Sequence, residues 1–178
     1  MVTAWTAGHS THRADEFVAL LRSHEVQAVA DVRRFPGSRR HPHFAREALE
    51  RLLAEHGIGY HGMPELGGRR TPREDSPNTG WRVAAFRGYA DYMDTADFAA
   101  AFDALRQLAA GTRVAIMCAE ALWWQCHRRL IADALVARGD RVVHIGSSGA
   151  AEEHRLIAPA TLRAGRLSYA AAQPGLEL

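Results

Sequence analysis

The chain has 178 residues, 47% of them hydrophobic and 24% charged, the balance of a globular domain with a core of its own. Its net charge of +2 is too mild to announce nucleic-acid binding by itself. All 22 basic residues are arginine, which excludes a Schiff-base lysine and a lysine-bearing phosphate loop but supplies planar forks suited to phosphate or carboxylate.

No apolar run approaches the roughly 20 residues that span a bilayer. The opening residues, Met1 to Ser10, lack a basic stretch followed by an apolar one, so no signal peptide is expected and the expected location is cytoplasmic. The two cysteines, Cys118 and Cys126, are then not expected to form a structural disulfide, and they are too few for a four-cysteine zinc site.

Taken in order, Val2 to Ala7 reads as a first strand ending at Gly8-His9-Ser10. Ser10 or Thr11 is expected to cap a helix whose apolar positions, Phe17, Leu20 and Leu21, sit at helical spacing. Val26 to Ala30 is a second strand that ends on Asp31. The basic loop Asp31 to Phe44 follows, broken by Pro36, Gly37 and Pro42. Arg46 to His56 is a helix with Leu49, Leu52 and Leu53 on one face, and Ile58 to His61 is a short third strand. Met63 to Trp81 is irregular, and a loop of that length in a compact domain suggests a lid or cover. Phe86 to Met93 begins a short helix. Asp94 or Thr95 restarts it as a longer one, with Phe98, Phe102 and Leu105 buried and Gly111 at its end.

The organising stretch runs from Arg113 to Arg138. Its apolar run, Val114 to Met117, ends at Cys118. A loop carries Glu120, Trp123 and Trp124, and Cys126-His127-Arg128 opens an amphipathic helix that Gly139 stops. Arg141 to Ile145 is another strand and Gly146 to Gly149 a turn. Glu152 to Ile157 reads as a helical turn and Leu167 to Ala170 as a last edge strand. Strands alternate with helices, so the expected fold is α/β: a three-layer, Rossmann-like arrangement, mostly parallel, with helices on both faces. One domain is expected over 1–170, with a flexible tail over 171–178.

Several of these segments together resemble a known family. Gly8-His9-Ser10, Asp31-Val32-Arg33, Ser38-Arg39-Arg40, Glu65-Leu66-Gly67-Gly68, the run Phe86 to Met93, Cys118-Ala119-Glu120 and Cys126-His127-Arg128 are similar to the "domain of unknown function 488". The likeness extends from about residue 3 to Tyr169. It implies a compact α/β domain and no settled activity.

Open α/β sheets place ligands where strands end and helices begin. Cys118 ends a strand and Cys126 precedes a helix, where a helix dipole and arginines favour thiolate; either thiol could instead simply pack. A phosphatase- or rhodanese-type loop needs arginine six residues after its cysteine, and position 124 is tryptophan. Zinc on Cys118, Cys126, His127 and His9 has no recognised spacing, so neither a metal nor a cofactor is expected. The remaining chemistry is anion binding at a helix start, with Arg33, Arg39 and Arg128 as forks and Ser10, Asp31, Cys126 and His127 around the ligand. Cys118, Glu120 and His9 are the candidate catalytic groups. A Glu120–Arg128 salt bridge is an equally open structural role. Trp81, Trp123 and Trp124 could stack on an aromatic ligand or pack inward.

Three functions follow. The first is an enzyme or binder for a small anionic, phosphate-bearing or nucleotide-like ligand. The second is a nucleic-acid module using the arginine loops. The third is a thiol redox sensor or interaction protein in which the two cysteines pair. No membrane partner is expected, and a homodimer is a default.

Overall fold

A computed structural model describes residues 1–171. Its strands and helices run β1 (Thr3–Gly8), α1 (Ala14–Ser23), β2 (Ala28–Asp31), α2 (Arg46–Glu55), β3 (Gly59–Gly62), α3 (Ala84–Tyr92), α4 (Ala96–Gly111), β4 (Val114–Cys118), α5 (Arg128–Ala137), β5 (Arg141–Ile145), β6 (Ala151–Glu153), β7 (Thr161–Arg163) and β8 (Arg166–Ser168). Six strands form one sheet in the order β3-β2-β4-β1-β5-β6. All its pairings are parallel except β5 with β6.

Two apolar layers flank the sheet, one per face. Strand parity divides them, because successive side chains point to opposite faces. Val114, Ile116 and Cys118 of β4 face the layer of α3, α4 and α5, with Phe98, Phe102, Leu105, Leu130 and Ile131. Ala115 and Met117 face the layer of α1 and α2, with Phe17, Leu21, Leu49 and Leu53. The fold is thus the three-layer α/β arrangement expected from the alternation of elements. The chain leaves β1 for α1 on one face and leaves adjacent β4 for α5 on the other. The two departures open a crevice at the carboxyl ends of these neighbours, the position where such sheets bind ligands.

Three local expectations are corrected. Helix α1 starts at Ala14, not after a Ser10 or Thr11 cap; the Glu16 carboxylate accepts from the Arg13 backbone N–H at 3.0 Å. Ser10 is occupied elsewhere, since its N–H donates to the Ala119 carbonyl and its φ is +46°. Glu152 and Glu153, read as the start of a helical turn, belong instead to β6, because the turn at Gly146 to Gly149 reverses the chain onto the open edge of β5. Arg166–Ser168 is a strand but not part of the main sheet. It pairs with β7 through Ala164-Gly165, both at positive φ, as a tight two-residue hairpin requires. The proposed tail, 171–178, lies outside the described residues except for Ala171. Among the described residues, no helix is long and apolar enough to cross a membrane.

Candidate functional site

Three strand ends build the site. Beyond β1, His9 N–H donates to the Cys118 carbonyl at 3.0 Å and Ser10 N–H to the Ala119 carbonyl at 2.9 Å. Beyond β2, Val32 N–H donates to the Met117 carbonyl at 3.0 Å. These bonds extend the ladder past the regular strands and bring Gly8-His9-Ser10, Asp31-Val32-Arg33 and Cys118-Ala119-Glu120 to one rim. Gly8 permits this approach: a Cβ there would lie 2.0 Å from the Glu120 carbonyl oxygen.

On the α1/α2 side, Arg33 is buried and held from all directions. Its Nε and Nη2 donate to the two Asp31 carboxylate oxygens at 2.8 and 2.6 Å, and its Nη1 donates to the Phe44 carbonyl at 2.8 Å. The same Nη1 lies 3.3 Å from His9 Nε2. Tyr60 O–H donates to Asp31 at 2.8 Å. Since Arg33 only donates, His9 Nε2 accepts, and its Nδ1–H donates to the Ser10 carbonyl at 3.0 Å. The imidazole stacks on Phe44 at 4.2 Å. Burial, reinforced by the Arg33 charge, lowers the His9 pKa to about 4, so the ring is neutral at physiological pH.

On the α3/α5 side, the turn Trp123–Gln125 folds the chain back so that Cys126 and His127 face Cys118. His127 Nδ1 lies 3.6 Å from Cys126 Sγ and 4.0 Å from Cys118 Sγ. Its Nε2 donates to the Val32 carbonyl at 3.1 Å. Cys118 Sγ donates to Glu120 Oε2 at 2.8 Å. Arg128 is fully buried; its Nε donates to Cys126 Sγ at 3.4 Å, and its Nη2 donates to the Glu120 main-chain carbonyl. The Glu120–Arg128 ion pair left open by the sequence is therefore not formed: the carboxylate takes Cys118 and the guanidinium takes the peptide. The neighbouring Cys126 sulfur, then burial, pushes Cys118 up. Burial would raise Cys126 too, but the adjacent Cys118 and His127 and the Arg128 charge outweigh it and hold Cys126 low.

These side chains floor a cavity of about 400 Å³ lined by Arg33, Glu120, Gln125 and the Cys118–Cys126–His127 group, with Gly68, Arg69 and Phe86 opposite. A second hollow, lined by His9, Ser10, Arg40 and His41, shares Arg33, Phe35, Gly37, Arg69, Ala119 and Glu120 with the first. Glu120 and Arg33 are thus common to two adjoining hollows.

Of the residues singled out from sequence, His9, Ser10, Arg33, Cys118, Glu120, Cys126 and His127 line this rim, and Asp31 lies directly behind Arg33. Arg128 does not reach the cavity; it backs Cys126. Arg39 is exposed and lines neither hollow. Trp81 packs against Phe86 and Tyr169, and Trp123 stacks on His144 at 4.0 Å. The sequence reading passed over Arg34, Arg69 and Gly68 as site residues. Gly68 lies against the imidazole, where an added Cβ would be 2.8 Å from His127 Nδ1.

Segment 63–81 supplies the opposite wall and is strapped to α3. The Asp91 carboxylate accepts from Arg73 N–H at 2.8 Å, Ser76 O–H at 2.6 Å and Asn78 Nδ2 at 2.8 Å. Arg70 lies over the Tyr92 ring at 3.6 Å.

The model of the family described as "Domain of unknown function DUF488" matches residues 13–135. The chain belongs to this family. The DUF488 match covers most of the site, from Arg33 through Arg128, and stops inside α5. No curated protein and no solved structure matches the chain. Membership of DUF488 carries no activity with it.

Proposed function

We propose that the rim cavity binds a small anionic ligand, phosphate-bearing or nucleotide-like, and that Cys118 and Glu120 act on it. The observation that carries this reading is uncompensated positive charge at the mouth. Arg34, Arg40 and Arg69 line the two hollows and are exposed, and none of them is in an ion pair among the described residues. Glu120, the one carboxylate lining the cavity among the described residues, is engaged by Cys118. Guanidinium forks with no carboxylate partner, of which Arg34 gives one N–H to the Arg69 carbonyl at 3.0 Å, favour an anion beside a partly apolar hollow, with charge-assisted bonds contributing roughly 1.5–3 kcal/mol each.

In this reading the arginines seat the charged group while Cys118 and Glu120 face the remainder of the ligand. Glu120 is the general base toward either the thiol it contacts or a water beside it. His9, whose two ring nitrogens are both engaged, keeps Arg33 in place and is a positioning residue rather than a proton carrier.

Thermal unfolding with inorganic phosphate, pyrophosphate and adenosine monophosphate tests the binding. A ligand of the native state stabilises it by about 2.7 kcal/mol at a hundredfold excess over Kd, which raises Tm by roughly 5–10 °C in a chain of this size. Turnover of a panel of phosphate esters should vanish in Cys118→Ala and Glu120→Gln. No stabilisation by any of the three anions, or turnover that survives both substitutions, would overturn the reading.

A further inference from the structure

Cys118, Cys126 and His127 are more than neighbours in a cavity floor. Their Sγ, Sγ and nitrogen donor atoms all lie within 4.8 Å of one another, and all three residues line the cavity. We propose that this triad holds one divalent metal ion of the zinc class, with the fourth coordination position open to the cavity.

The tautomer of His127 is fixed by a bond from outside the triad. The Val32 carbonyl can only accept, so Nε2, 3.1 Å away, carries the proton and the Nδ1 lone pair faces the two sulfurs. A backbone carbonyl behind the far nitrogen is the usual means of orienting a metal-bound histidine. The spacing suits a tetrahedron. Metal–sulfur bonds of about 2.3 Å and a metal–nitrogen bond of about 2.0–2.1 Å give sulfur–nitrogen edges of about 3.6 Å. The observed sulfur–nitrogen edges are 3.6 and 4.0 Å, and the two sulfurs, which a tetrahedron sets about 3.8 Å apart, lie within 4.8 Å of each other, so closing the site requires a shift of about an ångström or less at Cys118.

Charge balance points the same way. Arg128 is fully buried and has no carboxylate partner among the described residues; its contacts are Cys126 Sγ and a peptide carbonyl. A buried cation is costly unless something negative faces it, and a metal-bound thiolate at Cys126 is that group. Two thiolates neutralise a divalent ion, leaving Arg128 to stabilise the sulfur from behind. Soft sulfur donors with one imidazole select zinc over magnesium or calcium. Three protein ligands with one open position is the arrangement of a catalytic site rather than a closed structural one. Glu120 touches Cys118 Sγ and lines the same cavity, so the open position has a carboxylate beside it. The arrangement also explains Gly68, since any larger residue there would press on Nδ1, the nitrogen that would bind the metal.

The site does not depend on the anion reading, and the two are tested separately. Cobalt(II) added to the purified full chain under reducing conditions should give the visible bands of a tetrahedral ion and a sulfur-to-cobalt charge-transfer band. Both should saturate at one ion per chain and be displaced by zinc. Cys118→Ser and Cys126→Ser should each roughly halve the charge-transfer band. Each should weaken zinc binding by more than the roughly 10–100-fold that loss of an outer hydrogen bond costs. His127→Gln should keep the charge-transfer band but bind zinc more weakly. Zinc should also slow reaction of both thiols with a disulfide reagent in the unsubstituted protein, a readout that needs no variant to fold. The proposal is overturned if zinc leaves the thiol reaction unchanged and cobalt gives no charge-transfer band. It is equally overturned if the band persists undiminished in both cysteine variants, which would put the ion elsewhere. Phosphate-dependent stabilisation measured on the chelator-treated, metal-free chain reports on the anion site alone, so either claim can fail while the other stands.

Discussion

Gly68→Ala is the sharpest perturbation the cavity wall offers. Gly68 does not occupy the left-handed region, so alanine meets no backbone penalty there. The whole effect falls on His127, whose Nδ1 and Cγ would lie 2.8 and 3.1 Å from the new methyl. The ring must retreat by about 0.6 Å to reach ordinary contact, and it is pinned on the far side by Nε2 donating to the Val32 carbonyl at 3.1 Å. Overpacking of this kind costs about 1–3 kcal/mol, and a weakened hydrogen bond adds up to about 1 kcal/mol. A net loss of about 2 kcal/mol corresponds to a fall in Tm of roughly 4–8 °C. Differential scanning calorimetry measures this, with Gly37→Ala as control: Gly37 lines the same cavity, but its Cβ would meet nothing within 4 Å. If Gly68→Ala melts with the unsubstituted protein while Gly37→Ala does the same, the packing of segment 63–81 against the imidazole is wrong.

Three further outcomes follow from the polar interior. Asp133 is fully buried and accepts from His154 Nε2 at 2.8 Å and Tyr169 O–H at 3.0 Å, at the end of a chain running from Thr6 through His144 and His154. Asp133→Ala strands two buried donors at about 1–3 kcal/mol each, and urea unfolding should show a loss of about 2–6 kcal/mol; a loss below about 1 kcal/mol would refute the network. Burial holds His9 at a pKa of about 4 and His144 at about 3, below the ordinary 6.5. The unfolded chain therefore takes up these protons first, and stability present above pH 6.5 falls as pH drops toward 4, by up to about 1.4 kcal/mol per unit for each histidine. A urea midpoint that stays level between about pH 7 and 5 would contradict this. Asp91→Ala should free the strap, so trypsin should cut after Arg69, Arg70 or Arg73 well before the rest of the chain; an unchanged digestion pattern would mean that other contacts hold the segment.

Much of this site could be read from the order of residues, and what could not has identifiable causes. Strand parity along Val114 to Cys118 is a local property, so Cys118 could be placed at a strand end facing one helical layer from sequence alone. The meeting of Cys118 with His127 is not local. It depends on a single turn at Trp123–Gln125 and on the Val32 carbonyl, 95 residues away from His127, which orients the ring. A search for metal motifs by spacing therefore dismisses Cys-x7-Cys-His although the donors converge. Arg33 shows a different limit. As an arginine in a basic loop it reads as a free fork; it does line both hollows, but Asp31 two residues before it pairs with its guanidinium, while less conspicuous Arg34 and Arg69 face the cavity without a carboxylate. The β6 edge was missed because three exposed residues carry no apolar pattern, and the β7–β8 pairing because Ala164-Gly165 is a weaker hairpin signal than Asn-Gly.

The central claim is that three strand-end loops and segment 63–81 make one cationic, thiol-floored binding site. Isothermal titration of pyrophosphate into the full chain and its arginine variants tests it most directly. The account predicts saturable binding to one site per chain, weakened at least about tenfold, or about 1.4 kcal/mol, by Arg34→Met and by Arg69→Met. Arg51→Met, which removes the same charge from the exposed face of α2, should leave it intact. Equal weakening by all three substitutions, or no saturable heat at all, would contradict it.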